Sequence, residues 1–253
     1  MINIYKPEEI EVMRQGGKIL AKIMERLRRK VRAGITTKYL DKVAEDLVFK
    51  YGAEPSFKGF NNYPAVLCAS INEEIVHTIP SERKIKESDI LSLDLGIKYK
   101  KYCTDMAFTI SVGKIDKKAE KLINVTKKAL DIGIAQCKPS NHLGDIGWAI
   151  QNYVEKNGFN VIRELCGHGI GREVHEDPQI LNYDSSTSPG TSKKTELKQG
   201  MVLALEPMVV LGDWQVEKTK DGFCYKTKDN SLSAHFEHTV AITSSGSEIL
   251  TKR

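Results

Sequence analysis

Four acidic residues interrupt segments that otherwise have the composition of buried β-strands: Asp94, Asp105, Glu206 and Glu237. An unpaired carboxylate is costly to bury, and a cluster of carboxylates repels itself unless cations lie between its members. Any one of the four could be a structural acid held by hydrogen bonds. Because no lysine or arginine directly flanks any of them, the set as a whole favours a fold built around a metal site.

The hydrophobic pattern predicts two helices followed by strands, and then the same order again. The first helix begins at Pro7, which suits a first helical turn, and is expected to end at Gly34. Thr36 or Thr37 can cap the second helix, which Gly52 ends. Further helices are predicted over 116–136 and 143–157, and strands over 65–71, 90–97, 102–112, 161–166, 201–211 and 235–243.

Each half of this pattern ends in strands that carry two of the four acids. We interpret the pattern as a weak internal duplication within a single domain spanning 1–253, with pseudo-repeat halves at about 37–137 and 138–253. The fold class is α+β, with the acids of both halves around one site. Residues 184–195, rich in serine, threonine and lysine, are expected to form a surface loop.

Composition restricts the class of protein. Of the 253 residues, 40% are hydrophobic and 28% are charged, which is typical of a globular chain. The net charge of +5 comes from scattered basic residues, and it indicates a solvated surface or a weak attraction to ribosomal RNA, without a specific DNA site. The sequence lacks a signal-peptide pattern and any run that could span a bilayer. Five cysteines without a CxxC pair favour a reducing cytoplasm.

Three histidines are further candidates for the site. His168 lies within Cys166–Gly171, where glycines on both sides let the backbone approach closely and leave the ring uncovered. His175 follows shortly after it, and His77 lies in an apolar loop. Each of the three alone could be a structural histidine, and the spacing of His168 and His175 favours a shared site.

The acids and His168 together offer many oxygen ligands and one nitrogen ligand. That set has too many carboxylates for a closed structural zinc site, and it suits a pair of divalent ions such as Mn²⁺, Fe²⁺, Co²⁺ or Zn²⁺. Paired ions can activate a water molecule and polarise a carbonyl group. The pattern therefore predicts metal-assisted hydrolysis.

Five motifs in collinear order resemble those of the type I methionine aminopeptidases. They are Ser92–Gly96, Thr104–Ala107, Gly167–Gly171, Leu205–Met208 and His235–Thr239. Any one motif is short, whereas the ordered set is specific, and the resemblance extends from about Pro7 to Leu250. It implies the pita-bread fold, in which two pseudo-symmetric halves pack helices outside a curved, mostly antiparallel sheet. It also implies removal of the initiator methionine, with a small second residue preferred.

The resemblance implies a role for each candidate residue. Two metal ions would be bound by Asp94, Asp105, His168, Glu206 and Glu237, and Asp105 and Glu237 would bridge them. Glu206 would also be the general base, and His77 and His175 would contact the substrate amide and stabilise the tetrahedral intermediate. The methionine pocket would be lined by Phe60, Tyr63, Cys68 and Phe223, since an apolar wall suits a thioether side chain.

The sequence departs from the family pattern near the expected pocket. Thr78 replaces the usual glycine after His77, Phe223 stands where many relatives have tryptophan, and Val174 precedes His175 where phenylalanine is common. The loop at 184–195 is also longer than usual. These changes predict a more open methionine pocket, with Thr78 acting in the opposite direction by adding volume.

The family implies a cytoplasmic monomer that acts on nascent polypeptide N-termini, with a weak association with the ribosome and a structural monovalent cation as further options.

Three alternatives stay open. Prolidase-like enzymes of the same fold carry an additional N-terminal domain, and type II methionine aminopeptidases carry a large insertion in the second half; this sequence is expected to have neither. A non-catalytic pita-bread protein that binds RNA or partners is expected to lose metal ligands, whereas this sequence keeps all five.

Overall fold

The computed structural model describes residues 2–184 and 194–252, which form helices and short strands in the predicted order. The helices are α1 (Pro7–Arg28), α2 (Thr37–Lys50), α3 (Lys117–Gln136) and α4 (Leu143–Lys156). The strands of the first half are β1 (Glu54–Pro55), β2 (Cys68–Ile71), β3 (Glu74–Val76), β4 (Ile90–Tyr99) and β5 (Tyr102–Ser111). Those of the second half are β6 (Asn160–Val161), β7 (Cys166–Gly169), β8 (Glu176–Leu181), β9 (Val202–Leu205), β10 (Met208–Val210), β11 (Val216–Lys218), β12 (Tyr225–Thr227), β13 (Ser233–His235), β14 (His238–Thr243) and β15 (Gly246–Ile249).

Helix α1 is shorter than predicted, because residues after it form backbone hydrogen bonds with Ile85. The helix ends at Arg28 instead of continuing to Gly34. The backbone N–H of Gly34 donates to Ile85 O (2.8 Å), and the N–H of Ile85 donates to Ile35 O (2.9 Å). A helical turn at these residues would remove both bonds. The start of α2 agrees with the prediction, since the Thr36 side chain accepts a hydrogen bond from the backbone N–H of Tyr39.

Every strand pair within the described residues is antiparallel. The largest sheet of the second half has the order β15-β14-β9-β7-β8, and in the first half β4 lies between β1 and β2 and also pairs with β5. Two smaller sheets have the orders β13-β10-β6 and β11-β12-β3, so the second of them joins strands from both halves.

A seam of hydrogen bonds joins the two halves at the edge of β5. Glu237 N–H donates to Ala107 O (2.9 Å), and Ala107 N–H donates to Glu237 O (3.4 Å). The Thr239 hydroxyl accepts from the backbone N–H of Asp105 and donates to Asp105 O, both at 2.8 Å. The seam therefore brings the segment around Asp105 beside the segment around Glu237.

The two largest hydrophobic clusters of the described chain contain different pairs of helices. One contains residues of α1 and α2 with β4, and the other contains residues of α3 and α4 with strands of the second half. Helix α3 therefore packs with the second half, and the packing crosses the expected boundary at 137/138. None of the helices in the described part of the chain is long and apolar enough to cross a membrane. Of the expected loop at 184–195, residues 185–193 lie outside the described residues.

Candidate metal centre

Asp94 and Asp105 lie on adjacent strands and on the same face. In the register of β4 and β5, Asp94 is opposite Ala107 and Asp105 is opposite Gly96. Residues opposite each other in an antiparallel pair share a face, as do residues two apart on one strand. The two aspartates are therefore diagonal neighbours. Cys68 is opposite Asp94 on the other side of β4.

The second half supplies the other candidate ligands from its own strands. His168 on β7 is opposite Ala204 on β9, and Glu206 follows the last residue of β9. Glu237 immediately precedes β14, at the seam with β5. All five predicted ligands are buried and line one cavity of about 310 Å³. Ligand atoms of Asp105, His168 and Glu237 all lie within 4.8 Å of one another.

The hydrogen bonding of these carboxylates suits a cation. Asp94 Oδ1, Asp105 Oδ1 and Glu237 Oε1 are buried and have no hydrogen-bond partner in the described part of the chain. Buried polar atoms are nearly always paired, so three such oxygens in one cavity need a further positive partner. Oxygen atoms with one imidazole nitrogen are ligands that first-row divalent metals accept. The residues present therefore fit the predicted metal ions.

In the absence of metal ions, burial determines how many of these carboxyl groups are protonated. It raises the pKa of Asp94, Glu206 and Glu237 well above the usual range, and the neighbouring carboxylates raise these values further. Burial also raises the pKa of Asp105, to about 7. Each ionised group would be stabilised by a metal ion, because the cation offsets both the desolvation and the mutual repulsion.

His168 is held in an orientation that suits a ligand. Its Nδ1 lies 2.9 Å from Gly169 O, and a carbonyl oxygen can only accept, so Nδ1 carries the proton. The lone pair is then on Nε2, which lies 3.5 Å from Glu206 Oε1. Burial lowers the pKa of His168 to about 3, so the ring is neutral. A neutral imidazole fixed through its other nitrogen is the common form of a histidine ligand.

His77 and His175 lie on the same cavity. His77 follows β3 and has a φ of 59°, a left-handed conformation that turns the chain at this point. The His175 ring lies 4.2 Å from the ring of His168 and 5.0 Å from that of Phe60, measured between centroids. Burial lowers the pKa of His77 to about 4 and also lowers that of His175. Both imidazoles are therefore neutral near pH 7 and can each donate one N–H.

The residues expected to line a methionine pocket also lie around this cavity: Phe60, Tyr63, Cys68 and Phe223. The Tyr63 hydroxyl lies 3.0 Å from both Leu67 O and Thr78 O, and the Tyr63 ring packs edge-on against Phe223 at 5.6 Å. Burial raises the pKa of the Cys68 thiol well above its usual range, so Cys68 stays neutral. Leu165 and Met208 add further apolar wall that the sequence analysis did not identify.

Two of the departures from the family pattern do not reach the cavity wall. Val174 is 3% exposed, belongs to the hydrophobic cluster that contains Tyr5, and is not among the described residues that line the cavity. The Thr78 hydroxyl is hydrogen-bonded to Ser70 Oγ (2.9 Å) and Cys224 Sγ (3.0 Å). Of the three substituted positions, Phe223 alone is therefore among the described residues that line the cavity, and the effect of all three on the pocket volume stays a prediction.

His235 is a residue of this region that the sequence analysis did not single out. Its ring is 1% exposed, neither nitrogen has a hydrogen-bond partner within the described residues, and Nε2 lies 3.6 Å from Glu206 Oε2. Its position two residues before Glu237 is the signal that could have identified it, because alternate residues of an extended segment share a face.

Comparison with known proteins agrees with this geometry. Residues 11–244 match the model of metallopeptidase family M24. The chain is 47% identical to the methionine aminopeptidase of Clostridium perfringens, over 99% of both chains. The crystal structure of methionine aminopeptidase from Thermotoga maritima superimposes with a TM-score of 0.95 at 44% identity and covers 100% of each chain. Prolidase from Pyrococcus furiosus is more distant, with a TM-score of 0.78 at 25% identity, and the match spans 65% of that longer chain.

The similarity covers both halves, so the predicted pita-bread fold is confirmed. Prolidases share this fold at lower similarity over part of their length. Full-length identity to methionine aminopeptidases distinguishes between these two kinds of relative. The chain is therefore a member of metallopeptidase family M24 and, within it, of the methionine aminopeptidases.

Proposed function

We propose that this chain removes the initiator methionine from nascent polypeptides by metal-dependent hydrolysis, with a small second residue preferred. The observation that carries the proposal is the group of buried carboxylates, three of them with an oxygen that lacks a partner in the described chain, in a cavity that aromatic and other apolar side chains also line. The methionine aminopeptidase of Clostridium perfringens, which is 47% identical over nearly the whole chain, supports the same assignment.

The proposed ligands of two divalent cations, Mn²⁺, Fe²⁺, Co²⁺ or Zn²⁺, are Asp94, Asp105, His168, Glu206 and Glu237. Asp105 and Glu237, which lie in the two segments that the seam joins, would be shared by the two ions. Bound there, such cations supply electrophilic activation of the scissile carbonyl and of a water molecule. The chain supplies the orientation of each ligand, as in the hydrogen bond that fixes His168.

Glu206 is the proposed general base. Its carboxylate would take a proton from the attacking water and deliver it to the leaving amine. Glu206 Oε1 and Oε2 lie 3.5 Å and 3.6 Å from the Nε2 atoms of His168 and His235. Neutral His77 and His175 would each donate an N–H to the substrate amide, and this bond strengthens as the tetrahedral intermediate gathers negative charge.

The methionine side chain would enter between the rings of Phe60, Tyr63 and Phe223, beside the neutral thiol of Cys68. Aromatic edges and sulfur are favourable neighbours for a thioether. The Tyr63 hydroxyl is occupied by backbone oxygens, so the ring presents carbon atoms to the pocket. The pocket would therefore select an unbranched apolar side chain.

The wider assignment is a single catalytic domain with pseudo-repeat halves at about 37–137 and 138–253, acting as a monomer in the cytoplasm. The seam between the halves supports one domain, and the five cysteines, all of them in the described chain, are free thiols as a reducing compartment requires. The partners would be nascent N-termini, with weak ribosome association through the excess positive charge of +5.

A structural monovalent cation completes the proposed cofactors. The family resemblance is what supports it. Exchanging potassium for choline at constant ionic strength should lower Tm if such a cation binds to the protein. An unchanged Tm in the two salts would remove this cation from the assignment.

The decisive test of function is hydrolysis of Met-Ala-Ser by the purified protein. We expect cleavage after methionine, loss of cleavage with a chelator, and recovery with at least one of Mn²⁺, Fe²⁺, Co²⁺ and Zn²⁺. Met-Ile-Asn should be a much poorer substrate. Cleavage of an Xaa-Pro dipeptide in place of Met-Ala-Ser would favour a prolidase-like enzyme, and no hydrolysis with any of the four metals would favour a non-catalytic protein.

A further inference from the structure

The segment before α1 packs against the loop that carries His175. This loop joins β7 to β8 and spans residues 170–175, so His175 is its last residue before β8. Tyr5 is 3% exposed, and its backbone N–H donates to Gly200 O at 2.8 Å. The Tyr5 ring belongs to the hydrophobic cluster that contains Val174. The chain N-terminal to α1 is therefore fixed against the second half.

The segment before α1 is hydrogen-bonded to the Glu176 carboxylate, directly after the loop. The Tyr5 hydroxyl donates to both carboxylate oxygens of Glu176, at 2.8 and 2.7 Å, and the Asn3 side-chain amide donates to Oε2 at 2.8 Å. The backbone N–H of Glu173 donates to Glu176 Oε1 at 3.1 Å. We call Asn3, Tyr5 and Glu176 the N-terminal clamp. Burial and the bond to Glu176 raise the pKa of Tyr5, so its hydroxyl keeps the donated proton.

The clamp also holds the beginning of the loop. The Tyr5 hydroxyl accepts a hydrogen bond from the backbone N–H of Arg172 at 3.1 Å. The Arg172 guanidinium lies over the Tyr5 ring, 5.2 Å from its centroid, and donates to Glu9 Oε1 at 2.6 Å. A Cβ atom at Gly171 would collide with the Tyr5 phenol, so only glycine permits this approach. One phenolic oxygen thus contacts Arg172 within the loop and Glu176 directly after it.

The His175 ring has no comparable support of its own. It contacts the rings of His168 and Phe60, and it makes no hydrogen bond within the described residues. Its position therefore depends on the backbone that bears it, which the clamp holds at the adjacent residue, Glu176. A displacement of about 1 Å at a catalytic group can cost about a hundredfold in rate.

We propose that Tyr5 is a positioning residue, which acts through Glu176 to hold His175 against the reacting amide. The proposal rests on the catalytic role of His175 given under the proposed function. It assigns a part in catalysis to a residue far from His175 in sequence and outside the cavity wall. Tyr5 touches neither the candidate ligands nor the proposed substrate, so its effect has to pass through the loop.

The first test compares Tyr5→Phe with the control Tyr102→Phe in the full-length enzyme. The Tyr102 hydroxyl also bonds a carboxylate, Glu9 Oε1 at 2.7 Å, which is shared with Arg172, and the Tyr102 ring packs edge-on against Tyr5. Tyr102→Phe therefore changes the surroundings of Tyr5 and Arg172 but leaves the bonds of Tyr5 to Glu176 in place. Tyr5→Phe keeps the ring in the core and should lower kcat for Met-Ala-Ser about tenfold with KM within about twofold. The control should stay within about twofold of the wild type in both constants. Glu176→Gln should reproduce the fall in kcat, and an unchanged kcat in both clamp variants would overturn the proposal.

The second test does not depend on activity. The backbone amides of Arg172 and Glu173 bond to clamp atoms, so their hydrogen exchange should become about tenfold faster in Tyr5→Phe and remain unchanged in Tyr102→Phe. This measurement still tests the clamp if the wild type fails to cleave any methionine peptide, a result that would count against the proposed function alone. Equal exchange rates in wild type and Tyr5→Phe would show that the clamp does not hold the loop.

A double variant separates positioning from a general loss of structure. In a His175→Ala background there is no ring to position, so adding Tyr5→Phe should change kcat by less than about twofold. A further tenfold fall in that background would mean that Tyr5 acts on some other part of the site, and the proposal would be wrong. Tm of each variant, measured beside the wild type, shows that the compared proteins are folded.

Discussion

Asp105 combines a buried carboxyl group with a backbone that is already bonded on both sides. Its N–H and C=O bond to the Thr239 hydroxyl, while Oδ1 has no partner within the described chain. The cost of burying such carboxylates is the reason that the candidate ligands could be predicted from sequence. His235 could not be found in the same way, because a histidine among apolar residues has the same pattern whether it packs or binds. Val174 was misplaced because neighbours along a chain need not face the same cavity.

Asp105→Asn should nearly abolish hydrolysis and leave the fold intact. The amide has the shape of the carboxylate but no charge, so it would weaken the proposed bridge between two cations while the backbone bonds to Thr239 persist. Glu237→Gln should behave in the same way. The measurement is kcat/KM for Met-Ala-Ser at saturating metal, with Tm as the control. Retention of more than about a tenth of wild-type activity, a change of less than about 1.4 kcal/mol in the barrier, would contradict the bridging assignment.

His175→Ala should lower kcat more than it raises KM. A neutral imidazole that donates to the tetrahedral intermediate contributes mainly to the transition state and little to ground-state binding. Steady-state kinetics on Met-Ala-Ser separate the two constants. A change in KM alone would assign His175 to substrate docking and remove it from the chemical step.

Elements with a long stretch of regular hydrophobic spacing, such as α3 and α4, could be predicted from the sequence. The short strands around the site were harder to predict. The predicted strand 201–211 is divided into β9 and β10 by Glu206 and Pro207, since proline cannot donate to a ladder and Glu206 turns to the cavity. Strand β8 was missed because its sequence contains two acids and a proline. Its place at the edge of the sheet explains why that composition is tolerated.

The turn between β11 and β12 carries Phe223, so Phe223→Trp should narrow the methionine pocket. We expect the ratio of kcat/KM for Met-Ala-Ser to that for Leu-Ala-Ser to rise about fivefold, since contact with one methylene contributes about 1 kcal/mol. Val174→Phe is the contrasting change, because Val174 lies in the core. It should leave the ratio unaltered and lower the free energy of unfolding by about 1–3 kcal/mol. A raised ratio in Val174→Phe would show that this position does reach the pocket.

The carboxyl groups of the candidate site form a layer at the seam between the two halves, and the two largest hydrophobic clusters of the described chain contain α1 with α2 and α3 with α4. The general arrangement could be predicted from the repeated order of helices and strands. The packing of α3 on the second half could not, because periodicity shows which face of a helix is apolar but not which partner covers it. The same layer of acids makes the stability of the molecule depend on metal and on pH together.

Removing the metal should make stability fall as pH rises from about 6.5 to 8.5. Burial raises the folded-state pKa of Asp105 to about 7 and those of Asp94, Glu206 and Glu237 well above the usual range. The unfolded chain has already lost these protons at such pH, so the folded state binds more protons and is destabilised by their removal.

The buried histidines affect stability in a different pH range. Because their pKa values are lowered in the folded state, they make stability rise with pH only below about pH 6.5. Metal-loaded protein should show no comparable fall above pH 6.5, since the ions replace the protons. Thermal unfolding of chelated and loaded samples from pH 6.5 to 8.5 checks both curves. Parallel curves would mean that the acids do not share their cavity with metal.

The seam between β5 and the segment before β14 also bears on the order in which the chain is made. Asp94 and Asp105 are synthesised first, whereas Glu237 is the last of the five proposed ligands along the chain and comes beside Asp105 only when its segment has docked on β5. A copy translated only through the first half carries Asp94 and Asp105 and lacks the other three ligands. The proposed trimming activity therefore requires translation as far as Glu237 and closure of the seam.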